Sequence, residues 1–122
     1  MTKLLVVDDD PDILDLMKAV LEAYHFTVEL ASNGQEALDR VKAARPDGIF
    51  LDLRMPVIED GYTVLDLLRR EYPALPIVVI TASQTGDVVQ RMRARGAQGC
   101  LLKPFDPQDL RAILRDAFGW TP

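Results

Sequence analysis

The chain has 122 residues, of which 48% are hydrophobic and 27% charged, with a formal net charge of −5. This length suits one domain with its own apolar core, and no apolar run is long enough to cross a bilayer as a helix. The lone cysteine, Cys100, excludes an internal disulfide and a cysteine-built metal cluster, and an acidic chain with no basic stripe is a poor direct binder of nucleic acid.

Charged residues follow Met1-Thr2-Lys3 almost at once, with no signal-peptide pattern. The expected location is cytoplasmic, with no membrane attachment.

In chain order, Lys3 to Val7 reads as a buried strand. Asp10 before Pro11 is an N-cap followed by proline at the first helical position. The stripe Ile13, Leu14, Met17, Val20 and Leu21 predicts a helix ending near Tyr24. Phe26 to Ala31 alternates as a short strand, and Asn33-Gly34 turns the chain into a helix carrying Ala37, Leu38 and Val41. Pro46 breaks that helix.

Asp47 to Leu51 predicts a third strand that delivers Asp52, and Arg54 to Gly61 a loop. A helix from Tyr62 to Tyr72 turns Val64, Leu65 and Leu68 inward. Ile77 to Ile80, β-branched throughout, is the most strand-like run and delivers Thr81. A helix from about Asp87 to Arg95 stops at Gly96. Arg91, Arg93 and Arg95 within it read as a solvated face. Gly99 to Leu102 is a fifth strand, delivering Lys103, and Pro107 opens a last helix that buries Leu110, Ile113, Leu114 and Phe118. Trp120 fits either an exposed contact or, preferably, a cap on that helix. The only histidine, His25, is far from any strand end and reads as a surface residue.

Strands alternating with helices point to a parallel sheet, whose functional groups gather outside the strands' carboxyl ends. Asp8, Asp9 and Asp52 all fall there. Such carboxylates repel one another and need a cation, and oxygen-only ligands with room for a phosphate suit Mg²⁺. A carboxylate is also a competent nucleophile toward phosphorus. Taken singly, the residues are ambiguous. Asp10 reads as a helix cap, Thr81 equally as one more β-branched strand residue, and Lys103 as a solvated loop lysine.

Leu-Val-Val-Asp-Asp at residues 5–9, Leu-Asp-Leu-Arg-Met-Pro at 51–56, Ile-Thr-Ala at 80–82 and Lys-Pro-Phe at 103–105 together resemble the receiver domain of two-component response regulators, over Lys3 to about Phe118. The resemblance implies a single doubly wound (βα)5 flavodoxin-like domain, with a five-stranded parallel sheet in the order 2-1-3-4-5. It implies a phosphoacceptor rather than a turnover enzyme, taking a phosphoryl group on Asp52 from a sensor histidine kinase or phosphotransfer protein. Asp8, Asp9, Asp52 and the Arg54 backbone carbonyl are the implied Mg²⁺ ligands, with Asp9 direct and Asp8 through water. Thr81 and Lys103 are the implied phosphoryl contacts, with a cis peptide before Pro104. The implied output is a switched surface read by a downstream protein target or a fused effector domain, and the family also forms homodimers through its last two helices.

Two departures stand out. Val57, Ile58 and Glu59 separate Met55-Pro56 from Asp60-Gly61 where the family often has two residues, and Cys100 stands where many receivers carry a switching Tyr or Phe. The altered switch position leaves open a phosphorylation-independent binding module of the same fold. Asp8-x-Asp10 also resembles the motif of haloacid-dehalogenase-like phosphotransferases, with Asp8 as nucleophile and Asp10 as acid, although Pro11 and the chain length fit it poorly. The last helix ends just before Gly119-Trp120-Thr121-Pro122. The expectation is one receiver domain over residues 1–122 with no effector domain in this chain, either a stand-alone regulator or a receiver excised from a longer protein.

Overall fold

Each strand alternates its side chains between two apolar layers, and that alternation builds the molecule. In the computed structural model, which describes residues 2–53, 61–82 and 86–121, the strands are β1 (Lys3–Val7), β2 (Thr27–Ala31), β3 (Gly48–Asp52), β4 (Ile77–Thr81) and β5 (Gly99–Leu102). They alternate with α1 (Pro11–Ala23), α2 (Gly34–Ala43), α3 (Gly61–Glu71), α4 (Gly86–Ala94) and α5 (Pro107–Phe118). All pairings are parallel, in the order β2-β1-β3-β4-β5. This is the expected doubly wound arrangement.

Leu5, Val7, Ile49, Leu51, Ile77 and Val79 pack with Ala37, Val41, Val64, Leu65, Leu68 and Met92 on one face of the sheet. Their chain neighbours Leu4, Val6, Phe50, Val78 and Ile80 pack with Leu14, Met17, Leu21, Leu110 and Leu114 on the other. A period of two along each strand therefore sends α2, α3 and α4 to one side and α1 and α5 to the other. β3 and β4 are buried throughout, which explains their unbroken apolar sequence. Edge strand β2 is half-exposed and alternates less sharply.

The ends of the helices follow local chemistry. Asp10 accepts from the Asp12 N–H and caps α1. Asn33 accepts from the Glu36 N–H and caps α2. Asp106 and Asp109 cap α5 reciprocally, each accepting from the other's backbone N–H. At the other end of α5, Gly119 adopts φ +67°. The Trp120 N–H returns 3.1 Å to the Leu114 carbonyl, while its ring packs 5.1 Å from that of Tyr24. Trp120 is thus a cap with an apolar anchor. Gly48 is required by packing, since a Cβ there would fall 2.5 Å from Cε1 of Phe118.

The predicted boundaries shift slightly. β2 and β3 start one residue later, α3 and α4 one residue earlier, and Asp52 and Thr81 belong to their strands. His25 is exposed at φ +72°. Arg91, Arg93 and Arg95 are exposed, and Arg91 and Arg95 are paired with Asp87 and Asp66. Among the described residues no helix is long and apolar enough to cross a membrane.

Candidate functional site

Parallel register places the candidate residues side by side. Val7 lies opposite Leu51, so Asp8 and Asp52 leave adjacent strands at the same height. Asp52 lies opposite Ile80, one residue before Thr81. Thr81 lies opposite Leu102, and the Lys103 N–H donates to the Thr81 carbonyl over 2.8 Å. Five side chains from four strand ends therefore share one edge of the sheet.

Ligand oxygens of Asp8, Asp9 and Asp52 lie within 4.8 Å of one another. Asp8 is wholly buried and Asp52 is 3% exposed, whereas Asp9 faces solvent. Two buried carboxylates are costly without a counter-charge, and Lys103 supplies one. Its Nζ lies 3.0 Å from Asp8 Oδ2 and 3.4 Å from Asp52 Oδ2. Burial pulls the Lys103 ammonium toward a lower pKa. The hydrogen bond it donates to Asp8, with the charges of Asp52 and Asp8, more than offsets this and leaves its pKa raised. The lysine is therefore charged throughout the neutral range. The other oxygen of Asp8 accepts from the Asp10 N–H over 2.9 Å, fixing the carboxylate against the start of α1. Thr81 is 3% exposed, and the peptide between Lys103 and Pro104 is cis, as the family resemblance implies.

The donor set fits a hard divalent cation. It is all oxygen, mostly buried, clustered, and carries more negative charge than one ammonium balances. Asp8, Asp9, Asp52, Thr81 and Lys103 are thus brought together. Arg54 and the 57–60 loop insertion lie outside the described residues. Asp10 is engaged as a helix cap and donates its backbone N–H to Asp8, which removes it from the acid role required by the dehalogenase-like alternative. Sequence reasoning missed one feature: the lysine's shorter contact is to Asp8 rather than to Asp52. No local spacing signals a bond spanning 95 residues.

Cys100 is half-buried on β5 against the α2–α3–α4 layer. Burial raises its thiol pKa, and the charge of Arg93 offsets this only partly. A thiol held in its neutral form there is a packing group.

The comparisons agree with this geometry. The sequence matches the family described as response regulator receiver domain over residues 4–115. It is 40% identical to the response regulator Rre1 of Synechocystis, covering 93% of this chain and 50% of that protein. It is 38% identical to the DNA-binding response regulator MtrA of Mycolicibacterium smegmatis, covering 93% of this chain and 49% of that protein. The chain thus spans about half the length of these curated relatives. Among solved structures, the chemotaxis protein CheY4 of Vibrio cholerae superposes with a TM-score of 0.89 at 34% identity, over 96% of this chain and 98% of that one. The receiver domain of NtrX from Brucella abortus gives 0.89 at 28% identity, over 97% and 99%.

Proposed function

Because the chain belongs to the response regulator receiver domain family, we propose that it is the phosphoacceptor of a two-component relay, with Asp52 as the modified residue. The observation that carries this reading is the Lys103 ammonium poised between Asp8 and Asp52 in a cluster that also contains Asp9. The partners are a sensor histidine kinase or phosphotransfer protein upstream and a target protein or fused effector domain downstream, in the cytoplasm.

In this mechanism an Asp52 oxygen attacks phosphorus, the phosphorus–nitrogen bond of a phosphohistidine breaks, and the imidazole leaves with a proton. Phosphoryl transfer is mostly positioning and charge neutralisation. Asp8, Asp9 and Asp52 would hold Mg²⁺, with the Arg54 carbonyl as the further ligand that the family resemblance implies, and the ion would supply charge neutralisation for the moving oxygens. Lys103 stays protonated and presents a point charge to one phosphoryl oxygen, at the cost of its contact with Asp52. Thr81 donates its hydroxyl to another. The new dianion then biases the β4–α4–β5 region between two arrangements. With Cys100 in place of an aromatic ring, that readout passes through Thr81 and the backbone rather than through a ring rotation.

The test is labelling by a small-molecule phosphodonor with Mg²⁺. Wild type should take up one acid-stable, base-labile phosphoryl group and Asp52→Asn none. Persistent label in the variant would reject the assignment.

A further inference from the structure

Asp8 is wholly buried, and each of its two carboxylate oxygens has its own partner. Oδ2 meets the Lys103 ammonium at 3.0 Å, while Oδ1 accepts from the Asp10 N–H at 2.9 Å. The backbone N–H of Asp8 donates in turn to the Ala31 carbonyl over 3.1 Å. Left to itself, the terminal torsion of a carboxylate is broad and two-fold. Whatever fixes the Asp10 N–H therefore fixes which way Asp8 faces.

Asp10 is bonded through its N–H, its carbonyl and its side chain. The N–H goes to Asp8. The side-chain Oδ1 accepts from the Asp12 N–H at 2.9 Å, and the carbonyl accepts from the Leu14 N–H at 3.1 Å, closing the first turn of α1. The backbone of Asp10 is extended, at φ −89° and ψ 111°, the conformation that a following proline such as Pro11 favours. Its N–H thus points back to the end of β1 instead of entering the helix. The carboxylate completes this unit. Without a capping oxygen the Asp12 N–H loses its partner and the first turn loosens.

Asp10 does not join the carboxylate cluster itself. Among the described residues, the oxygens that gather within 4.8 Å of one another come from Asp8, Asp9 and Asp52, and Asp10 is exposed. Its effect on a bound cation therefore runs through Asp8. Losing a group that orients a metal ligand by a hydrogen bond commonly costs about 10- to 100-fold in affinity. Here the donor is a backbone N–H that is loosened rather than deleted, so the effect of losing the cap is smaller, roughly three- to tenfold.

We propose that Asp10 is a positioning residue for the metal site. By capping α1, its carboxylate holds its own backbone N–H against Asp8 Oδ1 and so keeps the Asp8 carboxylate turned toward Lys103 and the oxygen cluster. The inference rests on the reading of Asp8, Asp9 and Asp52 as a Mg²⁺ site, and not on which carboxylate takes the phosphoryl group.

The test is calorimetric titration of the 122-residue chain with Mg²⁺, joined to residue-resolved amide hydrogen exchange without metal. Asp10→Asn keeps the cap and removes the charge, whereas Asp10→Ala removes both. The alanine variant should bind Mg²⁺ roughly three- to tenfold more weakly than the asparagine variant. In an Asp8→Ala background the same two variants should differ by less than about twofold, because the group through which the cap acts is gone. In metal-free wild type the residue-10 amide should exchange at least about tenfold more slowly than in an unfolded control, and Asp10→Ala should lose that protection. Equal Mg²⁺ affinity of the asparagine and alanine variants overturns the proposal. So does a difference that survives removal of the Asp8 carboxylate, or an unprotected residue-10 amide in wild type. Each of these leaves the metal site standing, whereas a wild type that takes up no Mg²⁺ overturns both.

Discussion

Replacing Lys103 with methionine removes the only cation seen between Asp8 and Asp52 among the described residues while keeping the length of the side chain. With Nζ at 3.0 and 3.4 Å from the two carboxylates, each attraction is about 5 kcal/mol at an effective dielectric constant near 20. Most of this is cancelled by the cost of desolvating the charges, and Lys103 itself retains 25% side-chain exposure. Removing one partner of such a group leaves uncompensated buried charge, so the metal-free variant should lose about 2–3 kcal/mol of folding stability. The same change removes a repulsion against any divalent cation entering the cluster, so Mg²⁺ should bind roughly tenfold tighter, about 1.4 kcal/mol. Urea unfolding at several Mg²⁺ concentrations measures both quantities, because a ligand that binds only the folded state adds stability by mass action. The gap between variant and wild type should be widest without metal and narrow as Mg²⁺ rises. A variant as stable as wild type without metal, with unchanged or weaker Mg²⁺ binding, would refute the claim that the lysine balances these carboxylates.

Three further outcomes follow from the same geometry. Asp9→Asn removes the exposed member of the carboxylate cluster; it should raise metal-free stability while weakening Mg²⁺ binding, as calorimetric titration and unfolding curves would show. Gly96→Ala introduces a side chain at φ +96° with its Cβ 2.7 Å from Arg69 Nε; it should cost about 1–3 kcal/mol in urea unfolding, and a neutral result would mean that the turn relaxes freely. Burial raises the Cys100 thiol pKa, so labelling by a thiolate-selective reagent at pH 8 should be slower than for an unfolded control and should speed up only at a higher pH than in that control. The linked stability is fully present below the unfolded-state pKa and is lost as pH rises through the higher folded-state value. Rapid labelling at neutral pH would contradict this environment.

Much of the fold was legible because buried parallel strands leave a blunt signature. Leu4 to Val7 and Ile77 to Ile80 are continuous apolar runs, and Pro11, Pro46 and Pro107 punctuate the helices between them. The carboxylates were legible because a charged residue ending such a run has few structural excuses. The partners of these groups were less legible. Asp8 meets Lys103 only because β1 and β5 present their ends to one hollow across β3 and β4. Arg69, in the last turn of α3, carries no sequence signal of its role. It donates to the carbonyls of Tyr72, Pro73 and Gly96 and to Gln98 Oε1, and Gln98 Oε1 also accepts from the Ile77 N–H. This cross-tie joins α3, β4 and the turn before β5 at the end of the sheet opposite the carboxylates, and no periodicity could reveal it. Boundaries slipped by a residue where a polar group continues a strand, as Asp52 and Thr81 do, because pairing with the next strand extends past the apolar run.

The most direct measurement of the central claim is peptide mapping of the phosphorylated chain after borohydride trapping of the acyl phosphate. The account predicts a single modified residue, Asp52, formed only with a divalent cation present. Modification at Asp8 or Asp9, or at Asp52 without any dependence on the cation, would contradict it.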